Sequence, residues 1–197
     1  MPAFFRLPAG SMKMPASWWW KSALAGFIGG LALWLYMALV NIVVDGLNGF
    51  HFLNMVGTTY PGWNPLAVGW VAGPTLSGLF THLGIATAIG LVYGMIVDLI
   101  PAVLTSLDMS IVLGAVAGFW TWVVVGRTIG PVVAPGFRAM TGNDELAWLI
   151  GNAIFGLVTA GALYLLAERK ELAKVRVTMF PAERVPAGTL ADVRRPI

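Results

Sequence analysis

The sequence predicts an all-α polytopic membrane protein, with four transmembrane helices laid out as two tandem helical hairpins. Three observations carry this expectation. Of 197 residues, 58% are hydrophobic and only 11% charged, against roughly 45–50% and about 25% in soluble domains. Four uncharged apolar runs recur, at Ser22–Val44, Thr75–Val97, Met109–Gly126 and Leu146–Ala167, each near the ~20 residues that carry a helix across about 30 Å of hydrocarbon. From Gly46 to Val97 there is no Asp, Glu, Lys or Arg at all, and the mean hydropathy of the chain is +0.80.

Residues 1–21 read as a basic tail that ends in an interfacial anchor. Trp18, Trp19 and Trp20 suit the headgroup level, with the Lys21 ammonium among the phosphates. The apolar run that follows is longer than the roughly 7–15 residues of a signal-peptide core, and no small-residue cleavage site follows promptly. It is therefore taken as an uncleaved first helix, and residues 22–167 as the transmembrane bundle. The segment 45–74 collects Gly, Pro, Asn and Thr. An ordered outer loop fits it better than a fifth span, because unpaired backbone polar groups cannot face lipid. Within it, a short amphipathic stretch around Phe50–Val56 is expected at the outer interface, followed by turns at Pro61-Gly62 and Asn64-Pro65. Its aromatic residues suit either a lid over the bundle or a docking surface, for which the candidates are Phe52, Tyr60, Trp63 and Trp70.

The second outer loop, 127–145, holds Arg127 and Arg138, balanced by Asp144 and Glu145. Arg127 is expected either to pair with Asp45, at the end of the first helix, or to contact lipid phosphates. Residues 168–197 form a tail with no helical period or apolar core of its own, expected to run across neighbouring subunits. Charge follows topology. Three cations (Arg6, Lys13, Lys21) precede the first helix and seven (Arg169, Lys170, Lys174, Arg176, Arg184, Arg194, Arg195) follow the last. The positive-inside rule then places both termini in the cytoplasm, so the net charge of +3 is topological and no nucleic-acid partner is expected. With zero cysteines, disulfides, iron–sulfur clusters and thiolate metal sites are excluded, and no metal site is expected.

The helices carry an internal repeat. Gly26, Gly30 and Trp34 in the first match Gly114, Gly118 and Trp122 in the third. His82, Ala86, Gly90 and Asp98 in the second match Asn152, Gly156, Ala160 and Glu168 in the fourth, at equal separations. Both copies enter the membrane in the same direction, so the relation is a parallel repeat about an axis along the bilayer normal. The four-residue spacing has a physical meaning. Lipid tails are as apolar as leucine, so helices associate by close backbone approach at small residues. Gly26, Gly30, Gly90, Gly94, Gly114, Gly118, Asn152 and Gly156 are the expected packing positions, with Leu31, Leu35, Phe119 and Leu157 left for lipid or partner subunits.

His82 is the one histidine within a span. An ionisable group in a membrane marks a pathway or a ligand, and His82 is the candidate cofactor-binding residue. Its repeat counterpart is an asparagine, which favours a hydrogen bond that joins helices, worth roughly 0.6 and up to about 1.7 kcal/mol. A haem with two axial imidazoles would need a second histidine at matching depth, and His51 lies in the outer loop. No GxSxG, HExxH or phosphate loop occurs, so no enzymatic activity of its own is expected.

The two glycine-rich hairpins, the HxxxxxxxGxxY pattern of His82, Gly90 and Tyr93, and Gly151-Asn152 with Gly156 resemble a loosely defined family of uncharacterised four-helix bacterial and archaeal integral membrane proteins. The resemblance covers Ala23 to Leu166. Asn152 stands where that family often has histidine. The resemblance implies a prokaryotic inner-membrane protein and no established activity. The functional expectation is a non-catalytic accessory subunit of a respiratory electron-transfer complex, of the terminal-oxidase kind, that serves assembly, packing or docking. Its partners would be other integral membrane subunits and bound lipids, with no cofactor of its own. The alternatives are a subunit that binds haem, chlorophyll or quinone through His82, and a small transporter or channel.

Overall fold

The computed structural model describes residues 16–60, 62, 69–100, 106–134 and 145–167. Residues 1–15 and 168–197, the turn at Asn64-Pro65, Pro61, Trp63, Arg138 and Asp144 fall outside these residues, so the expectations placed on them do too. Helices α1 Ser17–Val43, α2 His51–Gly57, α3 Ala72–Leu99, α4 Leu107–Val133 and α5 Glu145–Leu166 make up the fold, with no strand among the described residues. All but α2 are long and apolar enough to cross a membrane. The chain is an all-α membrane protein with four spans.

Local chemistry sets the helix ends. α1 stops at Gly46, whose φ of 65° is left-handed, and the chain turns so that Leu47 N–H reaches Asn41 O at 2.8 Å. α4 begins after Ser106, whose Oγ accepts the Met109 N–H at 3.2 Å, with Asp108 in the positive first turn. The sequence pattern ends this span at Gly126 and puts Arg127 in a loop. The helix instead runs on to Val133 through a π-helical stretch, Trp122–Ile129. The hydroxyl of Thr128 donates five residues back, to Val123 O at 3.0 Å. Pro131 offers no N–H and its ring crowds the preceding turn, and a wider turn just before it absorbs the misfit.

The spans stand in a row, α3–α1–α5–α4, each packed on the next. Glycine makes these contacts close. A Cβ on Gly26 would lie 2.7 Å from Gly90 Cα, and one on Gly114 would lie 2.6 Å from Gly156 O. The repeat thus appears in three dimensions: α1 meets α3 and α4 meets α5 through equivalent positions. Gly30 confronts Ala86 Cβ, Gly118 confronts the Asn152 and Ala153 backbone, and Gly94 packs on Ser22.

The two hairpins join along α1 and α5. There, a Cβ on Gly29 would meet Phe155 O at 2.9 Å, and one on Gly151 would meet Leu33 Cδ1 at 2.7 Å. The repeat-related seam, between α4 and α3, is not closed along its length. Tyr93 Oη–H reaches Ser110 O at 3.2 Å near the α3–α4 connection. At the positions that shut the other seam the residues differ: where α5 has Gly151, α3 has Thr81, and where α1 has Gly29, α4 has Ala117.

Two expectations need correction. The stretch expected as an interfacial amphipathic helix is α2, and every one of its residues is buried. It sinks against α3 because Gly57 and Gly78 allow contact with Pro74 O and Leu53 O. Its central amide is satisfied internally: Thr75 Oγ1–H donates to Asn54 Oδ1 at 2.5 Å, and Asn54 Nδ2–H to Gly69 O at 2.8 Å. Irregular backbone at such depth is tolerated when protein surrounds it. At the other end, Trp18 is 0% and Lys21 3% exposed, so Trp19 and Trp20 alone suit the anchor. Trp18 turns inward because its indole N–H finds Gly94 O at 3.0 Å.

Gly118→Val places a branched side chain against the α5 backbone and is expected to cost about 1–3 kcal/mol or more. Gly84 has nothing within 4 Å of an added Cβ, so Gly84→Ala is expected to leave stability unchanged or raise it by about 0.5–1 kcal/mol. Denaturant titration in mixed micelles reads both; equal losses would contradict backbone contact as the stabilising feature.

Candidate functional site: a lateral cleft beside His82

The unclosed seam forms a narrow cleft with about 720 Å³ of empty space, counting its open mouth and the space outside it. α3 supplies one wall, with Thr81, His82, Ile85 and Ile89. The π-helical part of α4 supplies the other, with Val125, Gly126 and Ile129. Trp148, Asn152 and Phe155 of α5 form the back, and Phe52 and Val56 of α2 cover the end nearest the α1–α3 connection. The lining is mainly apolar and carries no formal charge.

His82 is 8% exposed, and its Nε2 lies 2.8 Å from Gly30 O. A carbonyl only accepts, so Nε2 carries the proton and Nδ1 the lone pair. The bond joins α3 to α1, and the same ring also lines the cleft. Phe52 meets the imidazole edge-on at 5.0 Å between centroids and leans on Trp148 at 5.4 Å. Orientation, rather than burial alone, is therefore what α2 provides.

Asn152, the repeat counterpart, behaves differently. Its Nδ2–H donates to Trp148 O of its own helix at 2.9 Å, because the shorter amide reaches back one turn where the imidazole spans to a neighbour. The residue lines the cleft, and its Oδ1 remains an acceptor outside that bond. Thr81 Oγ1 is buried without a hydrogen-bond partner. His82, Asn152 and Thr81 thus line one cavity.

The other predicted site residues fall elsewhere. Phe52 is 1% exposed, so it is no docking residue; the glycine notches that seat α2 on α3 bury it. Tyr60 and Trp70 are 50% and 56% exposed, and Trp70 packs edge-on against Phe50 at 5.2 Å. Arg127 pairs with Glu145 instead of Asp45, and its guanidinium lies 5.6 Å from the Trp122 ring centroid. The row of helices dictates this choice: α4 neighbours α5, and α1 lies on the far side of α5.

Axial ligation of haem or chlorophyll by His82 does not fit this geometry. Nε2 is turned to Gly30 O, and the remaining Nδ1 sits beside its own Cβ, the more hindered position for a macrocycle. Comparison with protein families, curated proteins and solved structures finds no match to this chain. The π-helical wall was not foreseen from the sequence. Thr81 could have been found from the repeat, since it replaces the glycine of the other copy.

His82→Phe keeps the ring against Phe52 but removes the bond to Gly30, and is expected to cost roughly 0.6–1.7 kcal/mol. Glu145→Gln should cost less than about 1 kcal/mol, because the Arg127 pair is half exposed. Parallel unfolding titrations rank the two; a larger loss at Glu145 would overturn the assignment of His82 as the interhelical tie.

Proposed function

We propose that this protein is a non-catalytic integral membrane subunit that works through its lateral cleft, receiving a small amphiphile from the bilayer and holding it within a larger membrane assembly. One observation carries the reading. The α3–α4 seam stands open where its repeat twin, α1–α5, is shut by Gly29 and Gly151. Lipid-accessible clefts between helices with a few polar groups are favoured ligand sites in bundles.

Membership in a hetero-oligomeric complex is supported by the broad apolar faces left outside the row, including Leu35, Phe80 and Leu165. Lipid covers such faces as readily as protein does, so the complex rests on less than the cleft. A respiratory complex of the terminal-oxidase kind is the finer form of the proposal and rests on the sequence resemblance. A prokaryotic cytoplasmic membrane with both termini inside is supported by the cations that flank the first and last spans.

Extraction of tagged protein into polymer-bounded discs of native membrane, followed by lipid and protein mass spectrometry, tests this. A discrete small amphiphile near one per chain, with integral membrane subunits co-extracted, is expected. A solitary chain accompanied only by bulk phospholipid would overturn the proposal.

A further inference from the structure

We infer that the cleft selects a neutral amphiphile whose head group donates hydrogen bonds through hydroxyls, received by His82 Nδ1, Asn152 Oδ1 and the Thr81 hydroxyl. The inference deepens the cleft reading and rests on it. It follows from donor and acceptor accounting. Gly30 O fixes the imidazole proton on Nε2, and Trp148 O takes one Asn152 amide proton, so each of these two cavity-lining side chains keeps an acceptor, Nδ1 and Oδ1, that is not used in that bond. Thr81 Oγ1 is buried and without a partner, and it is the group of the three that both accepts and donates. A ligand that offers only carbonyl or ether oxygens would leave two acceptors facing acceptors, which costs binding.

Charge and depth narrow the class. No cation lines the cleft to balance a phosphate, and Arg127 is already paired with Glu145. His82 stands ten residues into the 28-residue α3, about 15 Å along the helix and about 5 Å short of its midpoint, which lies inside a hydrocarbon layer about 30 Å thick centred on the helix. A phospholipid head stays at the surface, whereas a small neutral head can descend that far. Ile85, Ile89, Val125 and Ile129 then accompany its tail. Membrane molecules with this chemistry are isoprenoid quinols, diacylglycerols and isoprenoid alcohols.

The full chain in phosphatidylcholine nanodiscs is titrated with tritiated decylubiquinol kept reduced, dioctanoylglycerol and geranylgeraniol, each beside its O-methyl ether. One of the three is expected to saturate near one per chain, and its identity names the source. Its ether should bind about tenfold or more weakly, the effect of losing one or two buried hydrogen bonds. Thr81→Val, nearly isosteric, should weaken binding about three- to tenfold without moving the unfolding midpoint, which separates recognition from folding. Ile85→Trp, which fills the cleft, should abolish binding. Equal affinity for alcohol and ether would overturn the hydroxyl inference and leave the cleft reading standing. Full binding by a folded Ile85→Trp protein would overturn both. Absence of saturable binding for all three probes would overturn the hydroxyl class, while native extraction continues to test the cleft.

Discussion

Gly90 Cα occupies the space that a side chain on Gly26 would need, and on the other hairpin Gly156 O does the same to Gly114. The rest of the architecture follows from this exclusion. In hydrocarbon no hydrophobic force drives apolar helices together, so the gain must come from dispersion at short range. That gain requires backbones to approach, and only glycine or alanine permits it. Because the notches repeat at equivalent positions, α1–α3 and α4–α5 pack alike. Gly29 and Gly151 then join the hairpins into a row, not a closed square.

Satisfaction within the protein is a second constraint, met by some of the polar groups inside the layer and not by others such as Thr81 Oγ1. α2 is the clearest case. A seven-residue helix between non-helical connections is stable at depth because Asn54, Thr75 and Gly69 O form a closed set of hydrogen bonds. The same logic gives His82 its two roles. One nitrogen binds a neighbouring helix, and that commitment decides which nitrogen keeps the lone pair. A structural bond thereby sets the chemistry of a residue that lines the cleft.

The broken symmetry of the repeat is where function enters. Two copies of one hairpin pair would give two equivalent seams, both shut. The second seam, with Thr81 in place of glycine and Ala117 in place of Gly29, is not closed, and the π-helical turns of α4 shape its wall. π-helical turns are frequent at functional sites. Their position beside the polar residues of the cleft connects the local irregularity to the proposed ligand rather than to helix packing alone.

The amino-acid sequence by itself determined the number of spans, their pairing into hairpins and the glycine faces. Those depend on local quantities: run length against bilayer thickness, and small residues at a four-residue period. It also singled out His82 from its type and depth. Tertiary structure decided what no local pattern encodes. It decided that α2 is buried, because its amphipathic sequence fits an interface as well as a notch on α3. It decided that Arg127 meets Glu145 and not Asp45, because charges choose partners by which helices adjoin. It also decided that α3 and α4 stay apart, since whether two helices close on each other depends on how all the spans pack together and not on the residues of either one alone.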